Sequence, residues 1–129
     1  MLNRKKVVAS IIQKNNKFLL AQRAKKDTLY QKWEFPGGKL ESRETYEECL
    51  KRELYEEFGI RTTIGEYLCS SYFEHNGNSY EMLAFFVTAF QGNFTLYEHS
   101  AIAWVSLDEV IIRELLKRKN PIHVNNFLA

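Results

Sequence analysis

Cysteine, proline and long apolar stretches are scarce in this sequence, and each scarcity excludes a class of protein. The two cysteines, Cys49 and Cys69, do not have the spacing of a zinc site, so we predict two unpaired packing residues in a reducing cytosol. The apolar run at 7–12 is interrupted by Ser10 and is too short for a signal peptide or a membrane span. We therefore expect a cytoplasmic protein with no membrane partner.

A large excess of one charge sign is also lacking. The chain carries 18 lysines and arginines against 16 aspartates and glutamates, a net charge of +2. A protein that binds nucleic acid would usually present a denser basic face, so we expect no nucleic-acid partner and favour free nucleotides as the acidic ligand. The length predicts one domain over 1–129 with a core that needs no disulfides, and it leaves monomer and homodimer open.

The sequence does contain a helix signal that is rich in carboxylates. Thr45 and Glu48 have the spacing of a capping box, and Gly59 is a C-terminal stop after a run of helix formers. We predict a helix at 46–58. Wound at about 100° per residue, it has one apolar stripe that should face a core. The stripe consists of Tyr46, Leu50, Leu54 and Phe58.

Three glutamates of this helix occupy unusual positions. Glu53 and Glu57 project beside or within the apolar stripe, and Glu56 lies about 100° round the helix from Glu57. Carboxylates at the edge of a buried face are costly unless a cation meets them. A divalent cation would relieve this cost, and oxygen ligands without a nearby histidine or cysteine pair favour Mg²⁺, with Mn²⁺ as a substitute. The alternative interpretation is an ordinary acidic face in solvent.

The wider spacing identifies a family motif. Its defined positions, separated by gaps of five, seven, one and one residues, are Gly38, Glu44, Arg52-Glu53-Leu54, Glu56-Glu57 and Gly59-Ile60. The pattern matches the Nudix box at every defined position, and the chain therefore resembles the Nudix hydrolases. The run WEFPGGK at 33–39 is similar to the MutT-type branch of that family. The resemblance implies a Nudix fold, an α/β/α sandwich with a mixed β-sheet.

The resemblance also implies an activity, the Mg²⁺-dependent hydrolysis of a nucleoside triphosphate to the monophosphate and pyrophosphate. One candidate substrate is an oxidised purine nucleotide such as 8-oxo-dGTP. A cytosine nucleotide is the other, because residues 65–67 and 98–101 resemble the CTP pyrophosphohydrolases of the same branch. ADP-ribose is disfavoured, because family members with that specificity carry a proline beyond the box. The corresponding place here is near Asn76, and no proline lies between Pro36 and Pro121. A nucleotide sensor without catalysis is a further alternative, although every carboxylate of the box is present.

Carried over to this chain, the family pattern assigns metal ligands and a general base. Glu53, Glu56 and Glu57 would be metal ligands, together with the carbonyl of Gly37. Glu98 lies in a predicted loop before a strand and would bind the metal or act as the general base. Glu53 is the other candidate for the base.

The pattern also assigns two supporting residues. Arg52 would hold the carboxylates by charge-assisted hydrogen bonds, and Glu44 would lie in the loop against the helix. The alternative for Arg52 is a surface pair with Glu48, four residues earlier in the helix. His99 is either a competing general base or an exposed loop residue.

Four residues are candidates for substrate binding. Arg23 matches an arginine that contacts phosphate in the MutT-type branch, or else it is a solvated strand end. Phe35 would line a base pocket or pack in the core, and Lys39 would approach the phosphates or be solvated. Asn120 would read the purine edge, although it also suits the N-cap of a final helical turn.

The remaining elements are predicted from periodicity and turn residues. Strands are expected at 7–12, 18–21, 33–35, 62–72, 80–90 and 101–105, with 80–90 at the centre of the sheet. A further edge strand is expected between turns at 91–93 and 98–100, and loops are expected at 14–17, 27–32 and 74–79. Ser106 and Glu109 predict a second capping box and a helix at about 107–119 that covers the opposite face of the sheet.

Overall fold

The computed structural model describes residues 4–24 and 32–110. These residues form strands β1 Lys5–Lys14, β2 Lys17–Arg23, β3 Trp33–Glu34, β4 Gly37–Lys39, β5 Arg61–His75, β6 Asn78–Gln91 and β7 His99–Val105, and helix α1 Tyr46–Phe58. Across these two ranges, no helix is long and apolar enough to cross a membrane.

The strands form one mixed sheet, whose main path runs in the order β3-β2-β1-β6-β5. β1 runs parallel to β6 over Lys5 to Ile12, and its other edge pairs antiparallel with β4. β2 pairs with β1 only beside their turn and pairs with β7 along most of its length. The mixed sheet and the central position of β6 are therefore confirmed.

Both faces of the sheet are covered. Successive side chains of a strand point to opposite sides, so one strand contributes to a core on each face. Val8 and Ile12 of β1 pack with α1 in one core. Ala9 and Ile11, between them in sequence, lie in a second core with residues of β2, β6 and β7. Cys49 is buried in the first core, and Cys69 packs against the second. Both thiols are free, which confirms the predicted packing role.

Helix α1 has the predicted bounds and the predicted signals at each end. The Thr45 hydroxyl accepts a hydrogen bond from the Glu48 backbone N–H, and the Glu48 carboxylate accepts one from the Thr45 N–H. Gly59 ends the helix in the left-handed conformation, with φ of 72°. Leu50, Leu54 and Phe58 are fully buried, so the predicted apolar stripe does face a core.

Two tight turns explain the hairpins. Asn15 and Asn16 have φ of 51° and 61°, which confirms the turn predicted at 14–17. The loop predicted at 74–79 is shorter than expected. Only Asn76 and Gly77 leave the ladder, because both take positive φ and close a two-residue turn, so β5 continues to His75.

The edge strand predicted between 91–93 and 98–100 does not form. The backbone N–H groups of Thr95 and Tyr97 instead donate to the carbonyls of Phe58 and Glu57, at 2.9 and 3.2 Å. Those carbonyls belong to the last turn of α1, where no intrahelical donor is available. The segment at 92–98 therefore caps the helix end.

The second helix begins where it was predicted. The Ser106 hydroxyl accepts a hydrogen bond from the Glu109 N–H at 3.2 Å, and residues 107–110 are helical. Val110 packs against the second core, on the sheet face opposite α1. The rest of this predicted helix and Asn120 lie outside the described residues, as does most of the loop predicted at 27–32.

Candidate active site

The C-terminal half of α1 borders a small acidic cavity. Its volume is about 130 Å³. It is lined by residues from β2, β3, β4, α1 and the start of β7 with the residues next to them, namely Arg23, Ala24, Glu34, Gly37, Glu53, Glu57, Glu98 and His99. Four of these are glutamates, so the cavity brings together carboxylates that are far apart in the sequence.

The turn that carries Gly37 is held tightly against β1. The Ser10 hydroxyl and backbone N–H both donate to the Pro36 carbonyl, at 2.7 and 2.8 Å. A Cβ on Gly37 would lie 1.9 Å from the carbonyl oxygen of Val8, so only glycine permits this approach. The backbone of Gly37 therefore reaches the cavity wall.

Gly38 makes room for a carboxylate of the site. A Cβ at this position would lie 2.2 Å from Cδ of Glu53 and 2.3 Å from its Oε2. The glycine is therefore needed for the position of the Glu53 carboxylate, whereas Gly37 is needed for the packing of the backbone.

We predict that Gly38→Ala lowers pyrophosphate release about 10- to 100-fold, because it displaces Glu53 from the cavity. The thermal unfolding midpoint should change little, since the obstructing atoms end a flexible side chain. Gly37→Ala is the matched comparison and should be destabilised by roughly 1–3 kcal/mol, because its Cβ meets backbone. Full activity in Gly38→Ala would contradict this role.

Arg52 connects the acidic residues around the helix. Its Nε and Nη2 donate to both oxygens of Glu44, at 2.6 and 3.0 Å, and its Nη1 donates to Glu53 at 2.8 Å and to Glu56 at 3.1 Å. This guanidinium lowers the pKa of Glu44 to about 2. Glu48 bonds instead to the backbone of Thr45, so the alternative surface pair with Arg52 is not formed. Arg52 thus bonds to three of the acids, and its role in the reaction stays a prediction.

Glu57 is the most deeply buried of these acids. It is 3% exposed, and its Oε2 is buried without a hydrogen-bond partner. Burial raises its pKa well above the ordinary value, and the negative charges of Glu53 and Glu34 add to that effect. Burial also raises the pKa of Glu53, although Arg52 opposes the shift. The interpretation of the helix as an ordinary solvent face is therefore wrong for Glu57.

His99 lies between two carboxylates, so the alternative that it is an exposed loop residue is wrong. It is 8% exposed and begins β7 opposite Arg23, at an irregularity in the β2 pairing. Its Nε2 lies 3.1 Å from Oε2 of Glu34, and its Nδ1 lies 3.6 Å from Oε1 of Glu57. Glu98, the preceding residue, also lines the cavity. The bonds from 92–98 to the helix end explain why this histidine reaches α1.

Sequence reasoning missed Glu34. Its Oε1 accepts a hydrogen bond from Nη1 of Arg23 at 3.1 Å, and its Oε2 faces His99. The residue is 8% exposed although it is charged. The available signal was a carboxylate between Trp33 and Phe35, in a strand that otherwise reads as apolar.

The other predicted residues are placed as follows. Glu56 points outward, with a side chain 48% exposed, and does not line the cavity. Phe35 is 5% exposed and belongs to the second core. Lys39 is exposed, and its carbonyl accepts from Arg52. Base and phosphate binding by these side chains stays a prediction.

The donor set of the cavity suits a hard divalent cation. Carboxylate oxygens and a backbone carbonyl are the ligands that such cations prefer, and Oε2 of Glu57 is buried without a hydrogen-bond partner. Over 4–24 and 32–110, no three histidine, cysteine or acidic side chains already form a ligand set. The residue types around the cavity therefore fit a hard divalent cation, whereas Arg52 holds Glu56 outside it.

Comparison with known proteins identifies the family of this chain. The NUDIX domain family matches residues 2–127. The chain is 42% identical to a CTP pyrophosphohydrolase of Escherichia coli over 105 residues, which cover 81% of this chain and 78% of the relative. It is 32% identical over the same shares to an 8-oxo-dGTP diphosphatase of Buchnera aphidicola. The solution structure of the E. coli ORF135 protein superimposes with a TM-score of 0.76 at 41% identity, covering 84% of this chain and 77% of that one.

The family match covers nearly the whole chain, and the fold agrees with it. Nudix hydrolases generally need a divalent metal ion. This chain belongs to the NUDIX family and is a Nudix hydrolase of the nucleotide pyrophosphohydrolase type.

Proposed function

We propose that this enzyme hydrolyses a nucleoside or deoxynucleoside triphosphate to the monophosphate and pyrophosphate, with Mg²⁺ as its metal and Mn²⁺ as a substitute. The observation that carries the proposal is the acidic cavity, in which a buried carboxylate oxygen of Glu57 has no partner while Arg23 lines the same wall. Acidic ligands for a cation thus lie beside a cationic group for phosphate. This combination is expected where a metal-nucleotide complex binds.

We assign Glu53, Glu56, Glu57, Glu98 and the Gly37 carbonyl as the metal ligands. When bound, Mg²⁺ would neutralise charge on the phosphate oxygens and make an attacking water more acidic. Glu56 is exposed and bonded to Arg52 in this structure, so its assignment rests on the family pattern and not on the cavity.

The side chains of the cavity supply the other requirements of the reaction. Glu53 or Glu98 would accept a proton from water as its oxygen forms a bond to phosphorus and the anhydride P–O bond breaks. Arg23 and Lys39 would hold the phosphates, and Arg52 with Glu44 would keep the ligand carboxylates in position.

The proposal also concerns the nucleobase of the substrate. The 42% identity to a CTP pyrophosphohydrolase favours a cytosine nucleotide. The 32% identity to an 8-oxo-dGTP diphosphatase favours an oxidised purine nucleotide. In either case Phe35 is the proposed wall of the base pocket. Asn120 is proposed as the reader of the base edge if the substrate is a purine.

Pyrophosphate release with Mg²⁺ tests both levels of this proposal. The panel contains 8-oxo-dGTP, dGTP, CTP, dCTP and ADP-ribose, each assayed with and without EDTA. We predict metal-dependent release of one pyrophosphate per monophosphate from at least one triphosphate, with a preference for either cytosine nucleotides or 8-oxo-dGTP. ADP-ribose should be a poor substrate.

The outcomes separate the alternatives. Preference for 8-oxo-dGTP would support a role in removing oxidised nucleotides and would support Asn120 as the residue that contacts the edge of the base. Preference for cytosine nucleotides would leave Asn120 as a helix cap. Binding without turnover of any nucleotide would contradict the proposal in favour of a sensor. A single domain, a cytoplasmic location, and a monomeric or homodimeric state without nucleic-acid or membrane partners stay predictions.

A further inference from the structure

The cavity wall contains a continuous line of polar side chains, in which Glu34 and His99 have no role in the proposed reaction. Arg23 bonds to Glu34, Glu34 faces His99, and His99 faces Glu57. The side chains of Glu34, His99 and Glu57 are 10%, 5% and 4% exposed. Buried polar groups are expected to be hydrogen-bonded, so the buried atoms of His99 and Glu57 that have no hydrogen-bond partner require an explanation.

The ring of His99 is fixed on its face and at one edge. It stacks on Phe58 with ring centroids 5.2 Å apart and an angle of 13° between the planes. Its Nε2 lies within hydrogen-bond distance of the Glu34 carboxylate, which Arg23 also holds. Because Phe58 follows Glu57 in α1, the ring is held beside that carboxylate.

The free edge of the ring faces one oxygen of Glu57. Nδ1 of His99 has no hydrogen-bond partner and lies 3.6 Å from Oε1 of Glu57. The other oxygen, Oε2, is buried without a hydrogen-bond partner. The histidine therefore occupies one side of the carboxylate and leaves the other oxygen available to a cation.

We propose that His99 is a positioning residue, anchored by Glu34, that holds Glu57 with Oε2 presented for the metal. Residues that stand behind a metal ligand orient it, and their loss typically costs about 10- to 100-fold in metal affinity or activity. The inference rests on the proposed function, because it takes Glu57 to be a metal ligand. It assigns His99 no contact with the substrate.

The test uses variants that separate the nitrogens of the ring from its bulk. His99→Phe keeps an aromatic ring against Phe58 but removes both nitrogens. Glu34→Gln keeps the histidine but weakens its anchor. His75→Gln is the control, because His75 lies on β5 away from the cavity.

Two readouts are needed, both on the full chain. Mn²⁺ affinity without nucleotide is measured by the electron paramagnetic resonance signal of the free ion, and kcat and KM are measured with Mg²⁺ and the preferred nucleotide. His99→Phe should weaken Mn²⁺ binding and lower kcat, each by about 10- to 100-fold, and Glu34→Gln should show a smaller loss of both. The double variant should be no worse than His99→Phe, because the two residues act through one contact. The control should match the unmodified protein.

The inference is overturned if folded His99→Phe binds Mn²⁺ within about 2-fold of the unmodified protein. It is also overturned if the losses in the double variant multiply. If His99→Phe does not fold, Glu34→Gln tests the inference by itself. Unchanged Mn²⁺ affinity in that variant would show that Glu34 does not anchor His99, and would overturn the inference. An unmodified protein that binds Mn²⁺ but releases no pyrophosphate would instead contradict the proposed function, so the two failures are distinct.

Discussion

Glu53→Gln is expected to lower the rate of pyrophosphate release by about 10²- to 10⁴-fold, the range for loss of a general base. Glutamine keeps the length of the side chain and can still accept from Arg52, whose Nη1 lies 2.8 Å from Oε1 of Glu53. The substitution removes the negative charge and the ability to take up a proton. The loss should therefore appear mainly in kcat, measured at saturating nucleotide and Mg²⁺.

Glu47→Gln is the matched control for this experiment. Glu47 lies on the same helix, is exposed, and does not line the cavity. We expect its activity to stay within about 2-fold of the unmodified protein, as for surface substitutions away from special features. Near-normal turnover in Glu53→Gln would contradict the assignment of Glu53 to the site. Glu98 would then be the remaining candidate for the base.

Glu57→Gln is expected to remove most activity while stabilising the metal-free protein at neutral pH. Burial raises the pKa of Glu57 in the folded state above its ordinary value of 4.5. A raised carboxyl pKa means that the folded state binds the proton more tightly than the unfolded state. The stability of the metal-free protein therefore falls as pH rises from 4.5 towards the folded-state pKa, and at neutral pH this penalty is present.

The amide of glutamine does not ionise, so the variant avoids that penalty. We expect its thermal unfolding midpoint at neutral pH, in EDTA, to lie a few degrees above that of the unmodified protein, and the difference to shrink as pH falls to about 4.5. Pyrophosphate release should fall by about 10²-fold or more, because a ligand is lost. Glu47→Gln again serves as the control. An equal or lower midpoint for Glu57→Gln at neutral pH would show that the buried carboxylate is not a source of instability.

The fold was predictable wherever its signals are local. Capping residues, apolar periodicity and a glycine stop all lie within the helix or next to it, so α1 has its predicted bounds. The asparagine turn after β1 was predictable for the same reason, since Asn tolerates positive φ. The segment at 92–98 was predicted wrongly, because its hydrogen-bond partners are carbonyls of α1 more than thirty residues earlier in the chain.

The candidate site also contains residues that local spacing predicts and residues that depend on tertiary contacts. The box spacing predicted that Glu53 and Glu57 lie on one side of the helix, since residues four apart share a helical face, and both line the cavity. Glu34 gave only a weak signal, because a charged residue in a two-residue strand is ordinary until its neighbours in space are known. His99 looked like a loop residue because its burial depends on Phe58 and on pairing with β2.

The sequence by itself determined the family, the metal-ligand candidates and the helix that carries most of them, because these depend on residue type and short spacing. Only the tertiary structure decided which carboxylates meet in one cavity and which side chain stands behind each of them. The physical reason is that β2, β3 and β7 bring Arg23, Glu34 and His99 to α1 through pairing between distant segments. Their juxtaposition is a property of the assembled sheet and helix, and no short stretch of sequence contains it.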